Sequence, residues 1–389
     1  MHILHSIRSV NPAGGGPIEG IKQLGKVLRA TGHQTEIVTF DSPDDPWVKE
    51  CPLPVHALGP VRGRYGYSAK LIPWITAHRS GFDAVIVNGL WQYSGFGIWR
   101  ALRGTDTPYF VFPHGMLDPW FKRAYPLKHL KKWLYWPWGD YRVLRDARAV
   151  LFTSEEEKRA SRESFWLYRC NGIVVAYGVA NPPENGDAAK RIVLDRFPEL
   201  RGRRMVLFLG RIHEKKGCDL LIRAFAKVAA SHDDLRLVFA GPDQTGWACD
   251  LKALADSQGI SGKLLWTGMI SGDLKWGMLR LAETFILPSH QENFGIAVAE
   301  ALACGTPALI SNKVNIWREI EGDGAGIVDS DDLPGTVRLL EKWLALPAER
   351  RAAMRGNALR CFHSHFEVAR AAESLVQILR EHGKISAHA

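Results

Sequence analysis

The sequence predicts an α/β protein of two doubly wound domains, a second series of elements repeating the plan of the first. Three observations carry this. Apolar runs of four to six residues alternate with amphipathic stretches, the alternation occurs in two series, and a cluster of Asn, Pro and Gly at 181–187 separates them. Short apolar runs bounded by Gly, Pro, Asn or Asp are how strands buried on both faces read. Strands alternating with helices form parallel sheets joined by right-handed crossovers.

In order, the first series places strands at Met1–His5, Thr35–Phe40, Asp83–Asn88, Tyr109–Phe112, Ala149–Thr153 and Ile173–Ala176. The second places them at Met205–Leu209, Arg236–Ala240, Lys263–Trp266, Thr284–Leu287, Pro307–Ile310 and Ala325–Val328. Helical patterns fall between, among them Ile18–Thr31, Cys218–Ser231, Trp247–Gln258 and Ile296–Ala303. Pro182 and Pro183 cannot continue a helix and bias the residues before them to extended geometry. The expected division is therefore a first domain at 1–180, a linker at 181–204, a second domain at 205–362, and a C-terminal helix at 363–389 packing back on the first domain. Ligands of open α/β sheets bind at the carboxyl ends of the strands, so the site is expected in a cleft between the domains.

The 389 residues suit two domains and need no disulfide staples. None of the six cysteines forms a CxxC or zinc spacing, and they read as reduced thiols. The N-terminus has no apolar h-region, and no run approaches a membrane span. A cytoplasmic protein is expected. The formal charge is +9, of which residues 1–180 carry +8 and nine of the 14 Trp. This points to an anionic partner for the first domain.

Three motifs stand at strand ends. Asn11-Pro-Ala-Gly-Gly-Gly16 follows the first strand and precedes a helix. Gly15 and Gly16 let the backbone approach a ligand, and a helix N-terminus offers N–H groups to an anion. It also reads as a plain flexible turn. Leu209-Gly-Arg-Ile-His-Glu-Lys-Lys-Gly217 puts Arg211 and Lys216 where a diphosphate needs neutralising, or where two cations are merely solvated. It lacks the P-loop order. The third spans Pro288 to Pro307. Glu292 falls in a loop, Asn293, Phe294 and Gly295 open a helix, and Glu300 lies in that helix among Val298, Ala299, Ala301 and Leu302. A carboxylate there is costly unless paired or bound. The bland alternative is one capping and one ion-paired Glu.

In this order and spacing the motifs resemble retaining glycosyltransferases of group 1, family four, whose fold is the GT-B type: two Rossmann-like doubly wound domains with C-terminal helices crossing back. The resemblance also takes in Pro113-His-Gly115, Thr153-Ser-Glu155 and Tyr177-Gly-Val179. It implies a nucleotide-sugar donor, UDP- or GDP-linked, held mainly by the second domain. Arg211 and Lys216 would bind the diphosphate and stabilise the leaving group. Glu292 would accept hydrogen bonds from the sugar, N–H groups around Asn293, Phe294 and Gly295 would bind hydroxyls and phosphate, and Glu300 would take the ribose hydroxyls. Gly15 and Gly16 would close over the diphosphate. His114 would lie near the anomeric carbon. The alternative for His114 is a hydrogen-bonded core histidine, and its partner is open, because Gly115 follows where an Asp is common and Asp118 comes later. No residue reads as a covalent nucleophile, and no Asp-x-Asp loop suggests a metal, so no cofactor is expected.

The stretch Trp120–Arg148 combines Lys128, Lys131 and Lys132 with Trp133 and Trp136. Basic residues beside Trp suit an anionic membrane surface. An ordinary surface helix with inward Trp is the alternative, and no nucleic-acid motif accompanies the stretch. The expectation is a hexosyltransferase of bacterial surface-polysaccharide assembly (O-antigen, capsule or exopolysaccharide). It would act on a lipid-linked or saccharide acceptor, peripheral on the cytoplasmic face of the inner membrane. Competing readings are another GT-B enzyme, such as a nucleotide-sugar epimerase or a soluble sugar synthase, and a non-enzymatic membrane binder.

Overall fold

The computed structural model describes residues 1–383. They form two compact units, one of residues 1–178 with the segment starting at Val368, the other of residues 179–367. The first unit holds β1 (His2–Ser6), β2 (Gln34–Thr39), β3 (Val55–Ala57), β4 (Ala84–Asn88), β5 (Tyr109–Phe112), β6 (Ala149–Phe152) and β7 (Gly172–Val174). Their order across the sheet is 3-2-1-4-5-6-7, and every pairing is parallel. The second unit holds β8 (Arg204–Leu209), β9 (Leu235–Ala240), β10 (Leu264–Gly268), β11 (Thr284–Leu287), β12 (Ala308–Ser311) and β13 (Gly326–Asp329). Their order is 10-9-8-11-12-13, again wholly parallel.

The central strands are buried along their whole length, β4 as Ala-Val-Ile-Val-Asn and β11 as Thr-Phe-Ile-Leu. Helices cover both faces, which is why these strands read as continuous apolar runs rather than alternating ones. In each sheet two strands distant in sequence lie side by side, β1 with β4 and β8 with β11. At such a reversal of winding, the loops leaving the two strands diverge to opposite faces and leave a crevice between them.

Only β3 went unanticipated. It is a three-residue edge strand of half-buried residues just after Pro54, too short to carry a pattern. The expected linker needs a correction. Segment 181–204 contains the helix Gly186–Arg196, which buries Ala189 and Val193 against the helix Gly272–Leu281 and belongs to the second unit. The Asn-Pro-Pro cluster breaks the chain only briefly, and the i, i+4 pair Ala189/Val193 then supplies a packing face. The C-terminal boundary also moves. A π-turn at Phe362–Phe366 stays with the second unit, and the helix Val368–His382 packs on the helix Gly16–Ala30 of the first. There Ser374 Oγ accepts from the Ala176 N–H at 3.3 Å. Residues 384–389 of the expected C-terminal helix lie outside the described residues.

Candidate active site

In the second unit, the loops after β8, β11 and β12 are sewn together at the β8/β11 crevice. The His290 N–H and Ser289 Oγ both donate to Lys215 O, at 2.8 and 2.9 Å. Ser311 Oγ donates to Ser289 O, and the Glu292 N–H donates to Lys313 O at 2.9 Å. Gly217 takes φ +66°, and a Cβ there would stand 2.3 Å from Pro288 O, so only glycine lets the two loops close. The result is an ion pair between Lys216 and Glu292, with 15% and 17% of the side chains exposed. Burial, with Lys215 and Arg211 close by, pushes the Lys216 ammonium down to about 7. The Glu292 carboxylate against it favours the charged form. Arg211 is exposed, near enough to act on Lys216 through space.

The following residues divide by role. Gly295 caps the helix Ile296–Ala303. The Phe294 ring is buried and meets Phe366 edge to face at 5.7 Å, so its side chain is core and only its backbone is left for a ligand. Glu300 is buried and has a partner the sequence did not reveal. Lys275, on the helix Gly272–Leu281, reaches it at 2.8 Å. No spacing rule links residues 275 and 300, which meet only when two helices pack.

In the first unit, the β1 loop runs through a short turn, Pro12–Gly14, capped by Asn11 Oδ1 accepting from Ala13 N–H at 2.9 Å. Gly15 takes φ 78°, ψ −143°, a conformation open essentially to glycine alone, and Gly16 starts the helix Gly16–Ala30. Asp41 anchors the approach by accepting from Ser9 Oγ at 2.6 Å and Val10 N–H at 2.7 Å.

His114 follows β5 with φ 51°, unusual for a side-chain-bearing residue. Its ring stacks on Phe112 at 5.4 Å and meets Tyr177 edge-on at 6.3 Å. Its open partner is settled as Asn88, at the end of β4, with Nε2 and Oδ1 3.1 Å apart. Asn88 Nδ2 donates to Ile86 O at 3.1 Å and lies 3.3 Å from His5 Nδ1. A carbonyl only accepts, so the amide nitrogen must face Ile86 and Oδ1 must face His114. His114 therefore carries its proton on Nε2 and presents Nδ1 as an acceptor. Burial lowers His114 to about 4 and His5 to about 3, so both are neutral at physiological pH. Asp118 instead accepts from the Trp120 N–H at 2.8 Å. The loop is held by Glu157, which accepts from the Gly115 N–H at 2.7 Å and from Thr153 N–H and Oγ1 at 2.8 and 2.9 Å.

The basic stretch forms the helices Trp120–Ala124, Pro126–Tyr135 and Asp140–Asp146. Two expected surface contacts need correction. Trp136 is fully buried, stacked on Phe165 at 4.2 Å with its N–H donated to Leu167 O. Lys132 turns inward, its ammonium 4.4 Å from the Trp91 ring centre. Lys128 and Lys131 are exposed. What faces solvent beside them is apolar: Leu127, Leu130, Trp133 and Leu134 on the helix, with Trp138 and Trp166 nearby in sequence or space. Among the described residues, no helix is long and apolar enough to cross a membrane.

Two family models match the chain, the glycosyl transferase 4-like domain over residues 15–178 and the glycosyl transferases group 1 over residues 194–360. The chain belongs to the group-1 glycosyltransferases, with the GT-B fold. It is 28% identical over 249 residues to the alpha-D-kanosaminyltransferase of Streptomyces kanamyceticus, covering 63% of this chain and 64% of that one. It is 27% identical over 252 residues to the lipopolysaccharide core biosynthesis mannosyltransferase LpcC of Rhizobium leguminosarum bv. viciae, covering 58% and 69%. Its fold matches Anabaena HepE, solved with UDP and glucose, with a TM-score of 0.76 at 15% identity over 97% and 99% of the chains. The two family models leave only residues 179–193 between them, beginning at the boundary between the units.

Proposed function

We propose that this glycosyltransferase moves a hexose from a UDP- or GDP-sugar to a lipid-linked or saccharide acceptor in bacterial surface-polysaccharide assembly, with retention of configuration and without a metal ion. The observation that carries the reading is the Lys216–Glu292 pair, with Arg211 beside it, at the β8/β11 crevice. Two cations placed where a diphosphate leaves stabilise charge as it grows, the task a metal performs in other transferases. The Glu292 carboxylate orients Lys216 in the free enzyme and accepts from sugar hydroxyls when a donor is bound. The leaving phosphate would itself take the acceptor's proton. The neutral Nδ1 of His114 serves as an acceptor for a sugar hydroxyl. Glu300, oriented by Lys275, would offer its carboxylate to the ribose hydroxyls.

The test is thermal stability against a panel of nucleotide-sugars. A donor at about 100 times its Kd adds about 2.7 kcal/mol, enough to rank candidates. A panel in which no nucleotide-sugar raises the melting temperature would remove the reading. EDTA is expected to leave turnover unchanged, and its abolition with recovery on added Mg²⁺ or Mn²⁺ would overturn the metal-independent step.

The exposed Leu and Trp side chains beside Lys128 and Lys131 favour an acceptor at a membrane over a soluble sugar synthase reaction. An apolar face rimmed by Lys is the composition that seats a helix in the headgroup layer. The enzyme would then work on the cytoplasmic face of the inner membrane.

A further inference from the structure

The helix Pro126–Tyr135 has a second side. Opposite its exposed leucines, it closes a cavity of about 60 Å³ whose lining includes Trp91, Phe121, Tyr125, Lys128, His129 and Lys132. At ~10–15 Å³ per water, this space holds a few waters or one tetrahedral anion and excludes a sugar ring. The cavity stands at the carboxyl ends of β4 and β5, through Trp91 after the one and Met116 and Asp118 after the other. That is the edge of the sheet where ligands of this architecture bind.

The cavity lining carries Lys128 and Lys132 against one carboxylate, Asp118. The Lys132 ammonium lies over Trp91 at 4.4 Å and the Lys128 ammonium over Tyr125 at 4.5 Å, and neither forms an ion pair among the described residues. Burial lowers Lys132, Asp140 opposes it and Lys128 adds to it, and burial with the nearby Lys122 and Lys132 lowers His129. Two acids are close. Asp118 accepts from the Trp120 N–H, and Asp140 is wholly buried, accepts from the Trp91 N–H on Oδ2 at 2.9 Å, and is raised by burial to about 7. A partly desolvated cluster of cations on aromatic faces is costly alone and is relieved by an anion. We propose that this cavity binds a phosphate group carried by the acceptor, as a monoester or the terminal phosphate of a diphosphate. The proposal rests on the transferase reading and gives its acceptor a chemical class.

The experiment uses the full chain and vesicles rather than turnover, so it can fail while donor binding stands. Phosphatidylcholine vesicles are doped with phosphatidic acid, which exposes a phosphate monoester, or with phosphatidylglycerol, a diester, at matched surface charge. Sedimentation is expected to give about five-fold tighter binding to the monoester. Lys128→Gln/Lys132→Gln should bring the ratio to one. Lys128 is exposed, so Lys128→Gln alone folds and should remove about half of the advantage. Trp133→Ser/Leu134→Ser should weaken both vesicles equally and leave the ratio intact. Inorganic phosphate at constant ionic strength separates the sources. Loss of the advantage means that free phosphate suffices; persistence means that the lipid-borne group is recognised. A wild-type ratio of one, or a preference that survives Lys128→Gln/Lys132→Gln, would overturn the site.

Discussion

Lys216→Gln is expected to lower kcat about 10²–10³-fold, the usual loss when one preorganised donor to a developing negative charge is removed, about 2.7–4 kcal/mol. The substitution keeps a hydrogen-bond donor on a slightly shorter side chain and removes charge. It also leaves the Glu292 carboxylate, 17% exposed, without its cation. Breaking a fully buried pair costs about 3–5 kcal/mol, and the partial exposure here reduces that to about 1–2 kcal/mol of stability. A structural pair and a catalytic cation therefore predict different double mutants. Lys216→Met/Glu292→Leu replaces both charges by apolar groups of similar bulk, which is commonly neutral for stability. The melting temperature should recover in the double variant while kcat stays low. If turnover recovered with stability, or if Lys216→Gln kept kcat within about three-fold, Lys216 would be a strut and not the group that meets the leaving phosphate. Arg211 provides the contrast. It is exposed, so Arg211→Gln should leave the melting temperature alone and act mainly through KM.

The parts of this molecule that were legible in its sequence are those set by local pattern. β5 and β11 coincide residue for residue with their apolar runs, Tyr109–Phe112 and Thr284–Leu287, because strands buried on both faces leave no polar interruption. The helix Ile296–Ala303 was bounded correctly by Gly295 and Cys304. Arg211, Lys216 and Glu292 are singled out by local signals, since each follows a strand end. Their meeting depends on β8 and β11 being neighbours, a property of sheet order that no window of sequence contains. The same reason hid Lys275 from Glu300 and Asn88 from His114, partners 25 and 26 residues apart. Charge pattern misled in one place. The pattern predicts one surface for Lys128, Lys131 and Lys132, yet Lys132 faces inward and the leucines face out. Amphipathic periodicity gives two faces and leaves open which of them meets solvent.

Asn88→Asp is expected to add an acid limb to the pH profile. In the wild type, His114 has been lowered to about 4, so it stays neutral through the range in which the enzyme is assayed. The Asn88 amide fixes its tautomer without adding charge. A carboxylate at the same place keeps the acceptor toward His114 Nε2 but favours the imidazolium, and raises the pKa by about 1–3 units. Protonation fills Nδ1, the lone pair proposed to receive the sugar hydroxyl. The working form is the neutral one, present above the pKa, so activity must fall as pH drops through the raised value. A pKa near 7 leaves about a tenth of His114 neutral at pH 6 and lowers the rate there about ten-fold relative to the wild type. Asn88→Leu separates position from charge. It strands the Nε2 proton of His114 and the Nδ1 of His5, at about 1–3 kcal/mol for each buried group left unpaired. Turnover should then fall about 10²-fold without a new pH limb. A core histidine with no part in the reaction would lose stability in both variants and show no acid limb in either. That outcome would return His114 to the packing of β5.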